Sequence, residues 1–568
     1  MGDTSMPPAG RRKGPLDSFL DVVERIGNLL PDPVFLFAGA AAIVVILSGI
    51  GAAAGWSVQP LKPVPVVREV HDAAGNPVID AATGERVTEP LLDGEGRPML
   101  ELRPEGEPIK PKSLLTAEGI YWALTSMVRN FINFPPLGIV LAGMLGIGLA
   151  EKVGMFGALM KWLASLTPSV LLTPTVVFLG VMSNVASDAG YVILPPLAAA
   201  LYVVYGRPPL AGIAAAFAGV AGGFSANLLP AATDVLVAGL TTTGARVLEP
   251  GYEVNPVCNW YFMIVSTFLL TGVGWFVTAR VVEPRLRVKP PEEGGPQTRS
   301  GTELAGQRLS AGETRGLWWA AVAAAAVLVL IGLAVLIPDA PLHGKVDPMN
   351  PKSAYKWTQA IVPMIFVGFL APGVAYGMTV GEIKGQKDVA RAFIHAIAGM
   401  APIIVLAFFA AQFLEYMKYS NLDRMLAFIG GKALVDLGLP PRFIIIGVVI
   451  LSLTINLLIA SMSAKWAMLA PILVPMLMMV GISPELTQAA YRVGDSVTNV
   501  ATPMNSYLLI ILVAMQRWFK DAGIGTLIAM MVPYSVAFFA AWTLMLFAWV
   551  MLGLPLGPNG PLQYVPSH

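Results

Sequence analysis

Apolar runs recur along this chain, and each is long enough for a helix to cross the ~30 Å hydrocarbon core of a bilayer. The first run covers Pro33 to Trp56, and the last covers Thr526 to Leu552. Charged residues make up 13% of the 568 residues, whereas soluble chains carry about 25%. The sequence therefore predicts an all-α polytopic membrane protein embedded in a lipid bilayer.

The remaining composition excludes several function classes. A formal net charge of +1 gives no basic field that would attract nucleic acid. The single cysteine, Cys258, rules out an intramolecular disulfide, and four scattered histidines form no zinc motif. No Walker A sequence is present, so ATP is not expected to drive this chain. We expect no cofactor, and the first apolar run is too long for a cleavable signal peptide.

Composition divides the chain into segments, which we count as about nine full spans plus two re-entrant or broken elements. Basic residues at 11–13 place the N-terminus in the cytoplasm, and the span count places the C-terminus outside. The segments are a cytoplasmic N-terminus with an interfacial helix (1–32), the first transmembrane helix (33–56), a polar external loop with possible hairpin strands (57–112), a first repeat half with a hairpin and a broken helix (113–282), a cytoplasmic linker (283–315), a second repeat half with a hairpin and a broken helix (316–524), and the last transmembrane helix with an external C-terminus (525–568).

The stretch from Ser461 to Ser506 is the most polar part of the apolar chain. It carries charged and amide side chains together with prolines that disrupt helices: Lys465, Pro471, Pro475, Pro484, Arg492, Asp495, Asn499, Pro503 and Asn505. A bilayer satisfies neither a charge nor a broken backbone hydrogen bond, so such groups must face protein or a water-filled cavity. This stretch predicts a polar site at membrane depth.

The two halves share a plan. The first half also has interrupted apolar segments, and similar residues occur in the same order in both halves. Ser187 and Pro195 match Ser463 and Pro471, and residues 215–217 match 489–491. Ser225, Asn227 and Pro230 loosely match Thr498, Asn499 and Pro503. Paired interrupted segments in matching positions of two halves indicate the binding site of a secondary transporter, where half-helix ends meet near the midplane.

Three charged residues are candidates for the transport chemistry. Asp188 lies in an apolar stretch, where a carboxylate can carry a proton or help to hold Na⁺; alternatively it caps a half-helix. Arg492 and Asp495 are three residues apart and can share a helix face. Arg492 can recognise a substrate carboxylate with Asp495 positioning it or relaying a proton, or the two can form an internal salt bridge.

Uncharged side chains complete the predicted site. Trp466 can stack on an aromatic ring or simply pack, and Ser463 can donate to a carboxylate or coordinate an ion. Pro484 and Pro503 are expected to break helices and free carbonyls. Neutral oxygens suit hard cations, so a Na⁺ site, the one metal site considered, is expected from unwound carbonyls and from Asn184, Asn227, Thr498 and Asn499.

Four sequence blocks resemble the AbgT family of p-aminobenzoyl-glutamate transporters. The blocks are LDSFLDVVERIGNLLPDP, SNVASDAGYVILPPLAA, SAKWAMLAPILVPM and AAYRVGDSVTNVATPMNSY, and the resemblance covers nearly the whole chain. It implies a homodimeric inner-membrane protein with an inverted repeat, nine transmembrane helices and two re-entrant hairpins per protomer. The architecture would be similar to that of sodium–dicarboxylate symporters.

The resemblance also implies a function and a set of residues. Family members are linked to uptake of p-aminobenzoyl-glutamate and to export of sulfonamide antimetabolites, a form of antibiotic resistance. The implied residues are Asp188, Ser463, Trp466, Pro484, Arg492, Asp495 and Pro503. A p-aminobenzoyl-glutamate supplies a ring for Trp466 and carboxylates for Arg492, whereas a sulfonamide keeps only the ring and a weaker polar group.

Two other classes compete with a transporter coupled to H⁺ or Na⁺. An intramembrane aspartyl protease would use Asp188 and Asp495 as a dyad, but Asp495 lacks the Gly-x-Gly-Asp context and no Tyr precedes Asp188. A passive channel is the other alternative. The sequence leaves open the direction of transport, the coupling ion and the physiological substrate.

Overall fold

The computed structural model describes nearly all of the apolar segments. The described residues are 33–71, 76–79, 86–92, 99–165, 168–186, 189–297, 309–347, 355–505 and 507–566. The interfacial helix predicted within 1–32 and the side chain of Asp188 therefore lie outside the described residues.

The first half of the chain contains nine labelled helices and four short strands. The helices are α1 (Pro33–Ala53), α2 (Ala117–Ile132), α3 (Pro135–Lys152), α4 (Met155–Ser165), α5 (Leu172–Ser183), α6 (Ala189–Val204), α7 (Pro209–Phe217), α8 (Ala232–Ala245) and α9 (Trp260–Val277), and the strands are β1 (Leu61–Pro65), β2 (Val67–Glu69), β3 (Thr88–Pro90) and β4 (Leu100–Pro104). β1 pairs antiparallel with β4, with Leu61 opposite Pro104, and β2 pairs antiparallel with β3.

The regular elements in the described part of the second half are helices joined by loops. Its helices are α10 (Ala311–Leu336), α11 (Ile361–Val380), α12 (Gln386–Gly399), α13 (Ala401–Tyr419), α14 (Leu422–Asp436), α15 (Pro441–Leu458), α16 (Met462–Met478), α17 (Pro484–Val497), α18 (Leu508–Gln516) and α19 (Ile524–Met551). Local sequence sets some of these ends. α10 begins with a capping box in which Ser310 Oγ accepts from the Glu313 N–H and the Glu313 carboxylate accepts from the Ser310 N–H.

Seven helices in the described part are long and apolar enough to cross a membrane. They are Pro33–Ala53, Trp260–Arg287, Ala311–Leu336, Ile361–Val380, Ala401–Tyr419, Pro441–Leu458 and Ile524–Met551. The pair Leu141–Lys152 and Met155–Leu163 is bent by 63° and would be an eighth span if it crosses as one unit. The chain is therefore a multi-pass helical protein, and the count of nine spans stays a prediction.

One span boundary differs from the sequence prediction. The apolar run from Phe393 to Phe413 reads as a single span, but the helix breaks at Met400 and the span begins at Ala401. Pro402 has no N–H and stands in the first turn of α13, a position where proline starts a helix rather than continuing one. The preceding α12 is amphipathic, because it carries Lys387, Asp388 and Arg391.

The same order of broken elements occurs in both halves. In the first, α5 is followed by a 3-10 turn (Asn184–Ala186) before α6, and α7 ends in a π-helical turn (Ala218–Gly222) before α8. In the second, α15 and α16 meet at a turn over 459–461, and a non-helical segment separates α17 from α18. α16 of the second half packs against α8 of the first, and α6 packs against α18. The two broken regions therefore come together in the middle of the protein.

Candidate functional site

α17 is the centre of the site, because every one of its residues is buried although many of them are polar. Pro484 occupies its first turn, and Ser483 Oγ caps it by accepting from the Leu486 N–H at 3.0 Å. The prediction that Pro484 breaks a helix is therefore wrong: it begins one, where its missing N–H needs no partner. Pro503 does lie in the non-helical segment that follows α17.

Arg492 is bound to the first half of the chain. Its Nη2 lies 2.5 Å from Asp234 Oδ1 and donates to Ser225 O at 3.2 Å. Asp234 stands in the first turn of α8, where its other oxygen accepts from the Ala231 N–H at 2.6 Å. A carboxylate at a helix N-terminus is stabilised by the helix dipole. The pair therefore ties α17 to the break of the first half.

Asp495 has a different cationic partner, Lys465 of α16. The Lys465 Nζ lies 2.5 Å from Asp495 Oδ1, and both side chains are fully buried. The alternative in which Arg492 and Asp495 form a salt bridge with each other is therefore wrong. Although the two residues are three apart on α17, their side chains have different partners: Arg492 reaches the first half and Asp495 reaches α16.

An amide links the Lys465–Asp495 pair to the end of α17. Asn456 of α15 accepts from the Lys465 ammonium through Oδ1. Its Nδ2 points at the Asp495 carbonyl (2.7 Å), Thr498 Oγ1 (2.8 Å) and Asn499 Oδ1 (2.9 Å). Thr498 and Asn499, predicted as ion ligands, thus hold an amide in the described conformation.

Trp466 is fully buried and stacks on Tyr491, with ring centroids 4.2 Å apart and planes at 21°. Its Nε1 donates to Thr241 Oγ1 of α8 at 2.8 Å. The Tyr491 hydroxyl donates to Met462 O at 2.6 Å. The aromatic pair therefore lies between α16, α17 and α8, beside the Lys465–Asp495 pair.

Ser463 is partly buried and lies in the first turn of α16. Its hydroxyl is 3.3 Å from that of Ser461, which caps the helix by accepting from the Ala464 N–H. Ser463 also lines an apolar recess together with residues of α3, α8 and α13. It is the one polar residue on the wall of that recess: the others are Phe134, Leu137, Leu236, Leu240, Ile403, Leu406, Ala407, Ala410 and Ala467.

The break of the first half holds buried oxygens that lack hydrogen-bond partners within the described chain. The side-chain nitrogen of Asn184 donates to Val220 O at 3.0 Å. Its side-chain oxygen, Oδ1, has no hydrogen-bond donor within the described chain. Ser225 Oγ and both side-chain atoms of Asn227 are also buried and without partners there. Because buried polar groups are almost always satisfied, this cluster is a candidate position for an ion or a polar solute.

Sequence reasoning found most of these residues but assigned no role to three partners: Asp234, Asn456 and Lys465. Two of them were visible as charges in apolar surroundings. The roles of these charges could not be predicted, because each charge pairs with a residue on another helix. Asn456 gives a weaker signal, since a lone amide in a span is also compatible with packing.

Comparisons with known proteins identify the family of the chain. A model of the AbgT family of transporters matches residues 18–564. The p-aminobenzoyl-glutamate transport protein of Escherichia coli (strain K12) is 35% identical over 538 residues, which are 94% of this chain and 95% of that protein.

Two solved structures are also similar. Neisseria gonorrhoeae MtrF, described with a class of antimetabolite efflux pumps, is 38% identical with a TM-score of 0.81, covering 96% of this chain and 100% of its own. The Alcanivorax borkumensis YdaH transporter, described as having an unusual topology, is 36% identical with a TM-score of 0.76, covering 93% and 100%. These relatives are transporters, so they confirm the predicted resemblance and give no support to a protease. The chain therefore belongs to the AbgT family of membrane transporters.

Proposed function

We propose that this protein moves small aromatic solutes with an anionic or sulfonamide group across the bacterial inner membrane, coupled to an H⁺ or Na⁺ gradient. The E. coli relative is named for p-aminobenzoyl-glutamate, and MtrF is described with antimetabolite efflux pumps. Folate catabolites of the first kind and sulfonamides of the second are therefore the substrate classes to test.

The observation that carries this proposal is the burial of the Arg492 guanidinium together with its incomplete set of hydrogen bonds. Its guanidinium is buried, one nitrogen is engaged by Asp234, and Nε has no hydrogen-bond partner within the described chain. A guanidinium binds a carboxylate best through two parallel N–H groups. A substrate carboxylate can take this bidentate position by replacing Asp234.

Replacement of Asp234 also supplies a route to coupling. Once released from Arg492, the Asp234 carboxylate would remain in the protein interior with no cation, which is costly. Uptake of a proton or of Na⁺ would remove that cost. Solute and coupling ion would then bind together, which is the coupling that symport requires.

The rest of the site would hold the solute's ring and the ion. The Trp466–Tyr491 stack offers an aromatic face, which must open because Trp466 is fully buried in this conformation. Ser463 would donate to the polar group of the solute, and Pro484 and Pro503 would fix where α17 begins and where its continuation unwinds. We assign the ion to Asp188 and the oxygens of Asn184 and Asn227.

We further propose the membrane architecture of this transporter. It would have nine spans and two re-entrant hairpins, built from α5–α6 and α15–α16, in an inverted repeat similar to that of sodium–dicarboxylate symporters. The shared element order of the two halves supports this arrangement. The N-terminus would be cytoplasmic, the C-terminus external and the protein a homodimer.

The test is solute flux in proteoliposomes with H⁺ and Na⁺ gradients imposed separately. Accumulation of p-aminobenzoyl-glutamate or a sulfonamide against its gradient, driven by one of the two ions, supports the proposal. Flux that only follows the solute gradient would indicate a channel. Asp188→Ala and Arg492→Ala should abolish accumulation, and unchanged flux in both would defeat the site assignment.

A further inference from the structure

Lys465 is an unusual residue for its position. It lies in the first turns of α16, fully buried, where the positive end of the helix dipole disfavours a cation. Its partner Asp495 lies in the last turn of α17, where the negative end disfavours an anion. Neither helix dipole explains why the chain places these charges here. Their mutual contact, and the oxygens around the ammonium, must account for them.

The atoms around the Lys465 ammonium are those that would suit a small monovalent cation. Asp495 supplies a carboxylate oxygen at 2.5 Å, and Asn456 supplies an amide oxygen. The orientation of that amide is fixed, because its nitrogen faces three acceptors, including Thr498 Oγ1 and Asn499 Oδ1. Hard cations bind such a set of carboxylate and amide oxygens.

The first half of the chain lacks this pair. Aligning Ser187 with Ser463 and Pro195 with Pro471 places Ala189 opposite Lys465. Aligning Phe217 with Tyr491 places Ala221 opposite Asp495. Buried oxygens without hydrogen-bond partners in the described chain occur in both halves: on Asn184, Ser225 and Asn227 in the first, and at Asp495 Oδ2 and Ser496 Oγ in the second. At these aligned positions the second half therefore carries a cation and an anion where the first half has alanines.

We propose that the Lys465 ammonium is a tethered cation that occupies the ion position of the second repeat. A diffusible Na⁺ therefore has no access to Asp495, Asn456, Thr498 and Asn499 while the lysine is in place. Any Na⁺ that this transporter binds is held by the first repeat alone. This inference deepens the proposed coupling but rests on ion binding, so it can be tested without knowing the solute.

The experiment is the stoichiometry of ²²Na⁺ binding to the purified full-length protein, measured against choline at constant ionic strength. Lys465→Gln removes the ammonium and leaves Asp495 needing a cation, so this variant should bind about one more Na⁺ per chain than the native protein. Lys465→Arg keeps a cation in place and should bind no additional Na⁺. The double variant Lys465→Gln with Asp495→Asn should lose the gain. Equal stoichiometry in Lys465→Gln and the native chain, with both monodisperse, overturns the proposal.

A second variant keeps the native ion pair, so both buried charges retain their partners. Asn499→Ala removes an oxygen that, on this proposal, contacts only the Asn456 amide. Na⁺ binding by this variant should equal that of the native chain, whether the native chain binds one ion or none. A loss of about tenfold or more in Na⁺ affinity would mean that the second repeat ligates Na⁺ despite Lys465. If the proposed substrates are not transported, the flux measurements will show it, and the Na⁺-binding results will not change.

Discussion

Arg492 and Asp234 form a buried ion pair, 2.5 Å between Nη2 and Oδ1, that joins the broken helix of one half of the chain to that of the other. Arg492 stands on α17 and Asp234 in the first turn of α8. Any movement of one broken helix against the other must stretch or exchange this contact. The pair is therefore placed to link solute binding with conformational change.

Replacing Arg492 should affect stability and transport separately. Arg492→Ala leaves the Asp234 carboxylate buried without its cation, which costs about 3–5 kcal/mol for a buried pair broken on one side. Thermal unfolding in detergent should show a clear fall in Tm. The double variant Arg492→Leu with Asp234→Asn removes both charges and should recover most of that Tm.

The same double variant separates a structural role from a recognition role. If Arg492 binds the solute carboxylate, accumulation stays absent in the double variant although its Tm has recovered. Arg492→Lys keeps the charge but loses the planar fork. It should retain flux with a raised KM. Full flux in the stable double variant would show that the pair is structural.

Trp466 should contribute both packing and recognition. Trp466→Ala removes a fully buried ring stacked on Tyr491 and should cost about 3–5 kcal/mol. Trp466→Phe keeps a ring there and loses the hydrogen bond to Thr241, a loss of about 1 kcal/mol. Competition flux assays should show that Trp466→Ala weakens aromatic solutes more than non-aromatic ones, while Trp466→Phe restores aromatic binding. An equal loss for both solute types would make the role purely structural.

The sequence predicted where the polar site lies but not how its charges pair. Prolines, glycines and amides inside apolar runs locate the breaks, because each residue signals locally that a helix is interrupted. The spacing of Arg492 and Asp495 describes neighbours on one helix. Their actual partners, Asp234 and Lys465, come from other helices. Those residues come close only when the helices pack together, and sequence spacing along one helix cannot predict contacts with another helix.

Asp423 should give the protein's stability a defined pH dependence. Burial at the start of α14, which lies outside the candidate spans, raises the pKa of this carboxyl from its ordinary 3.8 to about 6. The folded state thus holds the proton more tightly than the unfolded state. This contribution is fully present below about pH 4 and is lost as the pH rises through about 6.

Asp423→Asn removes the ionisable group and should show the dependence directly. Near pH 7.5 the variant should be more stable than the native protein, by on the order of 2 kcal/mol, and this advantage should vanish near pH 4. Tm measured in detergent across this range checks it. Asp436→Asn, at an exposed position on the same helix, is the matched control and should follow the native pH profile. A constant Tm difference at all pH values would contradict the assignment.

Gly494 sets the distance between α15 and α17, and it offers the sharpest packing test. A Cβ at this position would overlap Val449 O and the Ser452 side chain, both on α15. Gly494→Ala must therefore push the two helices apart, at a cost of about 1–3 kcal/mol. The same displacement would shift Arg492, which lies on the same helix and pairs with Asp234, so solute binding should weaken. Gly447, also on α15, has open space around its Cβ direction. Gly447→Ala should be neutral or stabilising by up to about 1 kcal/mol, since alanine favours helix. If both variants behave alike, helix separation is not what Gly494 controls.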